Sequence, residues 1–328
     1  MFREHRQVLP RPREVPETRA VELMDGIILI DKPAGPTSAE VVRQVKWRVK
    51  PARVGHLGTL DPFATGVLPI LVGEATKLAP FLHDGDKYYA GTIALGTETD
   101  TLDRTGEVVR TAAVAPFDAA RLSAIAASFT GTVTQTPPIF SAIKRGGVPL
   151  YKLARRGDEV APPPPREVAI ARLELTVADA DAIRFTMVCS PGTYVRSLAR
   201  DIGVALGGAA HLAELRRTRN GRFAIEDAHP LDEVLAALER GGSASLIGLR
   251  EAVPDLPEVA VDEATAKRLR NGDSRALDGV VPPQAKFFKV VANGGLLAVA
   301  EATSRVTAVI ARIFGATCAA EALSEERS

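Results

Sequence analysis

Between Gly55 and Gly66 the chain reads GHLGTLDPFATG, three glycines, two threonines and a proline in twelve residues. Glycine is costly inside regular elements and proline removes a backbone donor, so this stretch must be a structured loop with its neighbours built around it. Upstream, Gly26 to Asp31 (GIILID) reads as a short buried strand, and Lys32, Pro33, Gly35 and Pro36 force a turn after it. Thr37 and Glu40 then have capping-box spacing. Val41, Val42, Val45 and Val49 recur at helical period until Pro51 stops the helix. Downstream of the loop, Val67 to Val72 is a second apolar run.

The remaining chain alternates strand and helix signals. Lys87 to Gly96 (KYYAGTIALG) reads as a strand, with Val108 and Val109 as its hairpin partner across the polar TETDTLDRTG turn. A helix is predicted over Ala119 to Phe129. From Thr136, TPPIFSAIKRGG and LYKLARRGDEV suggest a strand, a glycine turn and a short basic helix, and Pro162 to Pro165 an extended surface connection. Ile183 to Cys189 alternates as a strand. SPGTYVRSLARDIG turns into a helix with Val195, Leu198, Ala199 and Ile202 inward, and Arg196 and Arg200 sharing a face. A helix follows at Leu231 to Glu239, and then GGSASLIG as a linker. Beyond it, a helix at Ala264 to Arg270 and alternating runs at Phe287 to Val291, Leu296 to Ala300 and Val306 to Ile313 suggest a small β-rich unit.

With 328 residues, two domains are expected. The boundaries read as a flexible arm over 1–24, a catalytic domain over 25–250, a small domain over 251–315 and a flexible tail over 316–328. Cys189 and Cys318 are the only cysteines, and neither CxxC nor HExxH occurs, which argues against a disulfide scaffold or zinc site. The Rossmann, P-loop and nucleophile-elbow patterns are also missing, so the expectation is chemistry without cofactor or metal. The charged N-terminus lacks an apolar core and no later run is long enough to span a bilayer, which points to a cytoplasmic protein.

A net charge of +1 gives no overall sign of nucleic-acid binding, so clustering decides. Arg43, Lys46, Arg48, Lys50 and Arg53 follow one another with no acid between Glu40 and Asp61, and LRRTRNGRF, Leu215 to Phe223, holds four arginines and no acid. Either run fits a solvated face or an RNA contact. Asp61 likewise has two readings: an Asx-type turn residue before proline, or a carboxylate aimed by a rigid loop.

GHLGTLDPFATGVLP, preceded by DKPAGPTS and followed in order by DKYY, TPPIFSAIK, GTYVRSLARDIG and LRRT, closely resembles the TruB family of tRNA pseudouridine-55 synthases. The resemblance covers Gly26 to Phe223. It implies an α+β pseudouridine synthase fold, with a mixed, mainly antiparallel sheet flanked by helices, and a PUA-like C-terminal domain. It implies that Asp61 is the catalytic carboxylate, that Tyr89 rather than Tyr88 stacks on the target base, and that Arg196 pairs with Asp61. Tyr194 and Leu215 correspond to residues packing around the pocket, Lys32 to a basic residue near it, and His56 to a histidine used against the RNA. Arg43, Lys46, Arg216, Arg217 and Arg219 would bind phosphates of the T-arm of tRNA, the implied partner. Leu57 and Phe140 depart from the family's usual residues.

Three alternatives remain at this level. A guide-RNA-dependent synthase of the dyskerin type shares the catalytic block. An RNA-folding or RNA-binding protein needs no chemistry. A nucleoside hydrolase would need a second carboxylate near Asp61, for which Asp100 and Asp103, read here as turn residues, are available.

Overall fold

The computed structural model describes residues 25–49, 53–156, 160–242 and 245–315; the expected N-terminal arm, Lys50 and the C-terminal tail lie outside them. Thr37 and Glu40 form the capping box, Glu40 N donating to Thr37 Oγ1 (3.1 Å) and Thr37 N to Glu40 Oε2 (2.8 Å), and they start the helix Ser38–Arg48. Its buried face, Ser38, Val41 and Val45, lies on a large mixed sheet.

In the sheet the main path runs His229–Pro230, Gly26–Lys32, Thr65–Val72, Ala210–Asn220, Lys87–Leu95, Ala182–Cys189, Arg166–Asp179, Gly131–Gln135. Along this path, pairing is antiparallel except between the first two strands and between Thr65–Val72 and Ala210–Asn220. The second of these contacts positions the site. It consists of two pairs, Arg216 with Thr65 and Arg217 with Gly66, beyond which the strands diverge. The sheet therefore forks, and Gly55 to Gly66 fills the fork. At its end Gly66 adopts φ +109°, and a Cβ there would lie 2.2 Å from Arg217 O, so only glycine lets the strands meet.

Local details differ from the sequence reading. Val108–Thr111 pairs with Thr97–Thr99 and not with Lys87–Leu95, because Gly96, at φ +90°, turns the chain between those two segments. Prolines keep 136–143 irregular, and only Lys144–Arg145 and Val148–Pro149 pair there. Part of the expected linker, Leu246–Ile247, is a strand paired antiparallel with Ile27 and Ile28.

The C-terminal unit is an open four-stranded sheet ordered Glu258–Ala260, Phe287–Ala292, Gly295–Ala302, Ala308–Ile313. Asn293 (φ +50°) and Gly294 (φ +78°) make the two-residue hairpin that joins its central strands. This is the small β-rich C-terminal unit that was expected; no ladder joins the first and last of its strands among the described residues. The unit has its own core around Phe288, Val290 and Leu269. Its other face, with Leu296, Val299 and Phe314, shares a cluster with Ile27, Leu29, Leu57, Val67 and Leu71 of the larger body. Phe81 meets Phe287 edge to face at 5.2 Å, and Lys77 Nζ donates to Ile313 O (2.8 Å). No helix among the described residues is long and apolar enough to cross a membrane.

Phe314 is 2% exposed in this shared cluster. Phe314→Ala is expected to lower stability by about 3–5 kcal/mol, measured by urea unfolding of the whole chain; a change below about 1 kcal/mol would show that the docked face carries little of the stability.

Candidate active site

The loop at the fork is held through its carbonyl groups. Asn220 Nδ2 donates to Leu57 O (2.7 Å), and Arg217 donates to Gly58 O (3.0 Å), Thr59 O (3.5 Å) and Val67 O (2.9 Å). Ser38 Oγ donates to Leu60 O (3.0 Å) and accepts from Leu60 N (2.9 Å). Lys32 Nζ donates to Pro62 O (3.2 Å), Ala64 O (2.8 Å) and Pro33 O (2.8 Å). Ala64 N closes a tight turn onto Asp61 O (3.1 Å). The aspartate therefore leaves the turn as an aimed side chain.

This overturns one expectation. Arg217, expected on a phosphate, is 1% exposed and points into the body, because in a strand it faces opposite to Arg216. Lys32, expected near the pocket, lies beside Asp61 but is fully buried, with all three ammonium hydrogens directed at carbonyls. Burial lowers the Lys32 pKa to about 8, opposed by the nearby Asp61 charge and reinforced by Arg217.

Asp61 and Arg196 meet across 135 residues of chain. Arg196 Nη2 donates to Asp61 Oδ1 (3.1 Å), and Nε lies 2.9 Å from Oδ2, an ionic contact off the hydrogen-bond line. Arg196 itself, in the first turn of the helix Val195–Ala205, is 5% exposed. Its guanidinium also donates to Thr101 O and Phe140 O, each at 2.9 Å, from two further loops. Desolvation raises the Asp61 carboxyl above its ordinary value, and Arg196 opposes that rise.

The sequence reading missed part of this cluster. Asp103 is a turn residue, as expected, but only through Oδ1, which accepts from Thr101 Oγ1 (2.9 Å), Thr105 N (2.9 Å) and Thr105 Oγ1 (2.5 Å). Its Oδ2 lies 3.6 Å from Arg196 Nη1, making it a second carboxylate on the same arginine and a like charge that pushes the Asp61 pKa further up. Buried Leu102 beside it takes φ +62°, uncommon for a non-glycine residue. Threonines flanking an aspartate suggest a rigid turn, but nothing in the spacing links residue 103 to residue 196. Asp100 serves its turn alone, accepting from Glu107 N (2.9 Å).

Tyr89 packs on the main core and hydrogen-bonds the Arg217 side chain; burial raises its pKa, so the phenol stays protonated at neutral pH. On the same strand Tyr88 faces the other way, beneath Arg219 at 5.7 Å. Tyr194 precedes the arginine helix and is fixed by Gln135, whose amide bonds both Tyr194 N (2.7 Å) and O (2.9 Å). Leu215, 7% exposed, and Arg216 line a cleft of about 580 Å³ that opens at the fork. Arg216 is gripped by both oxygens of Asp31 (3.0 and 2.7 Å). His56 borders the loop with Nδ1 buried and without a partner among the described residues. Arg43 and Lys46 are exposed on the first helix, away from the Asp61 contacts, and Arg43 lies 3.7 Å from Glu40.

Residues 46–195 match the family model described as TruB family pseudouridylate synthase (N terminal domain), and 196–256 match the tRNA pseudouridylate synthase B C-terminal domain. Over 285 residues the chain is 42% identical to the tRNA pseudouridine synthase B of Geobacter sulfurreducens, spanning 85% of this chain and 93% of that one. The chain belongs to the TruB family. The Rhizobium meliloti tRNA pseudouridine synthase B is 42% identical over 304 residues, 89% of this chain and 95% of its own. Among solved structures, a chain of an H/ACA RNP bound to a substrate RNA containing 2'-deoxyuridine superposes with a TM-score of 0.65 at 22% identity, covering 90% of this TruB chain and 87% of that chain. At that identity the likeness shows the fold, which is that of this enzyme group.

Two outcomes are expected. Burial and the Arg217 charge lower the His56 pKa, so its ring should titrate below 6.5 in a two-dimensional NMR series. The unfolded chain then takes the proton first, and the His56 contribution to stability is present above the unfolded value and lost as pH falls below it; titration above 6.5 would contradict the burial argument. Thr105→Val keeps the shape but removes the hydroxyl from Asp103. It should slow single-turnover pseudouridine formation roughly tenfold, the scale of a lost charge-assisted hydrogen bond, with Thr105→Ser restoring the rate.

Proposed function

We propose that this chain acts in the cytoplasm as a stand-alone synthase that isomerises uridine to pseudouridine at position 55 in the T-arm of tRNA. The observation that carries the reading is the bidentate approach of Arg196 to Asp61 on a clamped loop, in a chain related along 85% of its length to enzymes named for that activity.

The reaction breaks the bond between uracil N1 and ribose C1′, turns the base in the pocket and joins C5 to C1′. C5 loses its proton and N1 gains one, so nothing is consumed. Asp61 is the carboxylate facing C1′ and C6, and Arg196 keeps it ionised against the desolvation that favours its acid form. Tyr89, held protonated beside Arg217, offers a flat ring to the base and a neutral hydroxyl. Leu215 and Tyr194 close the pocket, and neutral His56 meets the RNA left behind when the target flips, a step that costs a few kcal/mol. Arg43, Lys46, Arg216 and Arg219 supply backbone contacts.

Asp103 does not make the site a hydrolase. One of its oxygens is saturated by threonines and the other faces Arg196, which leaves neither oxygen of Asp103 free to activate water.

Incubated with an unmodified tRNA transcript or a T-arm stem-loop, the protein should form pseudouridine at position 55 without guide RNA or added metal, and Asp61→Asn should form none. Product dependent on a guide RNA, or activity surviving in Asp61→Asn, overturns the reading. Arg196→Ala should lose at least about a hundredfold in rate, the order seen when a charge-stabilising group is removed, with RNA binding kept. Because Arg196 lowers the Asp61 pKa, whatever activity remains should show its acid limb at higher pH than the wild type.

A further inference from the structure

On the sheet face opposite Tyr89, two rows of side chains run crosswise from the fork. One passes through Thr65, Arg216, Ala90, Thr186 and Glu174, which are aligned partners in successive strands. Its neighbour passes through Glu214, Thr92, Arg184 and Thr176. Five strands at about 4.8 Å spacing give the first row a length of roughly 19 Å. Alanine and threonines leave the floor low, and these rows border the cleft of about 580 Å³.

Charge on this face is unevenly compensated. Glu174 is taken by Arg172 (3.1 Å to Nε) and by Thr186 Oγ1 (3.0 Å), Glu214 accepts from Thr92 Oγ1 (2.9 Å), and Arg216 is held by Asp31. Arg184 is exposed in the row with no hydrogen bond or ion pair among the described residues. Arg104, the residue after Asp103, also lines the cleft; its guanidinium stands 5.9 Å from the Phe63 ring, two residues beyond Asp61, and has no carboxylate partner among the described residues. That cation stands at the mouth of the site, and a low trough leads from it to a second one.

We propose that Arg104 and Arg184 form a phosphodiester track, holding the RNA strand that flanks the target nucleotide as it crosses the open sheet face from the fork. This rests on the tRNA reading above. Among the described residues, two uncompensated guanidinium groups outnumber the single lining carboxylate without a cationic partner, Glu214, so the trough suits a polyanionic strand, and its length accommodates several nucleotides. Arg104 anchors the phosphate nearest the flipped base, and Arg184 one farther along.

The test measures binding of a T-arm stem-loop as a function of sodium chloride, in the Asp61→Asn protein so that no turnover intervenes. Each phosphate contact contributes about 0.7–0.9 to the slope of log affinity against log salt. The Arg104→Ala/Arg184→Ala pair should therefore flatten that slope by about 1.4–1.8 and weaken binding about tenfold or more at 0.1 M salt. Arg104→Lys/Arg184→Lys, which keeps the charge, should retain most of the slope, separating lost cations from a damaged fold. Arg121→Ala, an exposed arginine on the helix Ala119–Ser128, should bind as the parent does. An alanine pair with unchanged slope and affinity overturns the track, as does a lysine pair as defective as the alanine pair. Product mapping on the wild type reads separately: pseudouridine at position 55 with unchanged binding by the alanine pair removes the track alone, whereas no product in tRNA removes the reading beneath it.

Discussion

Two buried cations, Lys32 and Arg217, hold the Asp61 loop by its carbonyl oxygens, and neither forms an ion pair with a carboxylate among the described residues. Burying a charge without a counterion is expensive unless dipoles replace its water. Here the dipoles are those of the loop itself, so any rearrangement of 58–67 would strip a cation of its solvation. Hydrogen bonds to charged groups contribute about 1.5–3 kcal/mol each, which is why this irregular segment can be as fixed as a strand. The remaining features of the site depend on that clamp: the tight turn at Asp61, the close passage at Gly66, and Arg217 as a link from the loop to Tyr89.

Arg196 applies the same device to a different end. Its donors reach Asp61 and the carbonyls of Thr101 and Phe140, with Asp103 behind, so one guanidinium ties three loops together. The consequence is electrostatic as well as geometric. Burial and Asp103 push Asp61 toward its acid form, and Arg196 pulls it back. A carboxylate poised in this way is less well solvated than one in water, which suits the role proposed for Asp61.

How much could be read beforehand follows the range of each interaction. The capping box at Thr37 and Glu40, the opposed faces of Tyr88 and Tyr89 and the helices at 119–128 and 231–239 are fixed by neighbours a few residues away, and they were legible. Arg217 was misread for an identifiable reason. Four arginines in nine residues look like one basic patch, but as a strand they alternate, placing Arg216 at the cleft and Arg217 inside. Asp103 lay beyond local reasoning because its partner, Arg196, is 93 residues away in sequence, on the helix Val195–Ala205. The family resemblance supplied Asp61 with Arg196 as a pair; neither residue's own surroundings in sequence did.

The C-terminal unit has to be considered with the loop. Leu57, inside the segment that carries Asp61, belongs to the same buried cluster as Val299 and Phe314, while its carbonyl is bonded by Asn220 from the body of the sheet. The loop is thus gripped by polar groups on one side and by apolar packing on the other. For the small unit to swing away as an independent RNA-binding arm, Leu57, Val67 and Phe314 would be exposed together, at about 1.5–3 kcal/mol per large apolar side chain, along with loss of the Lys77 bond to Ile313. Motion of that unit and order in the Asp61 loop are therefore coupled through the hydrophobic cluster they share.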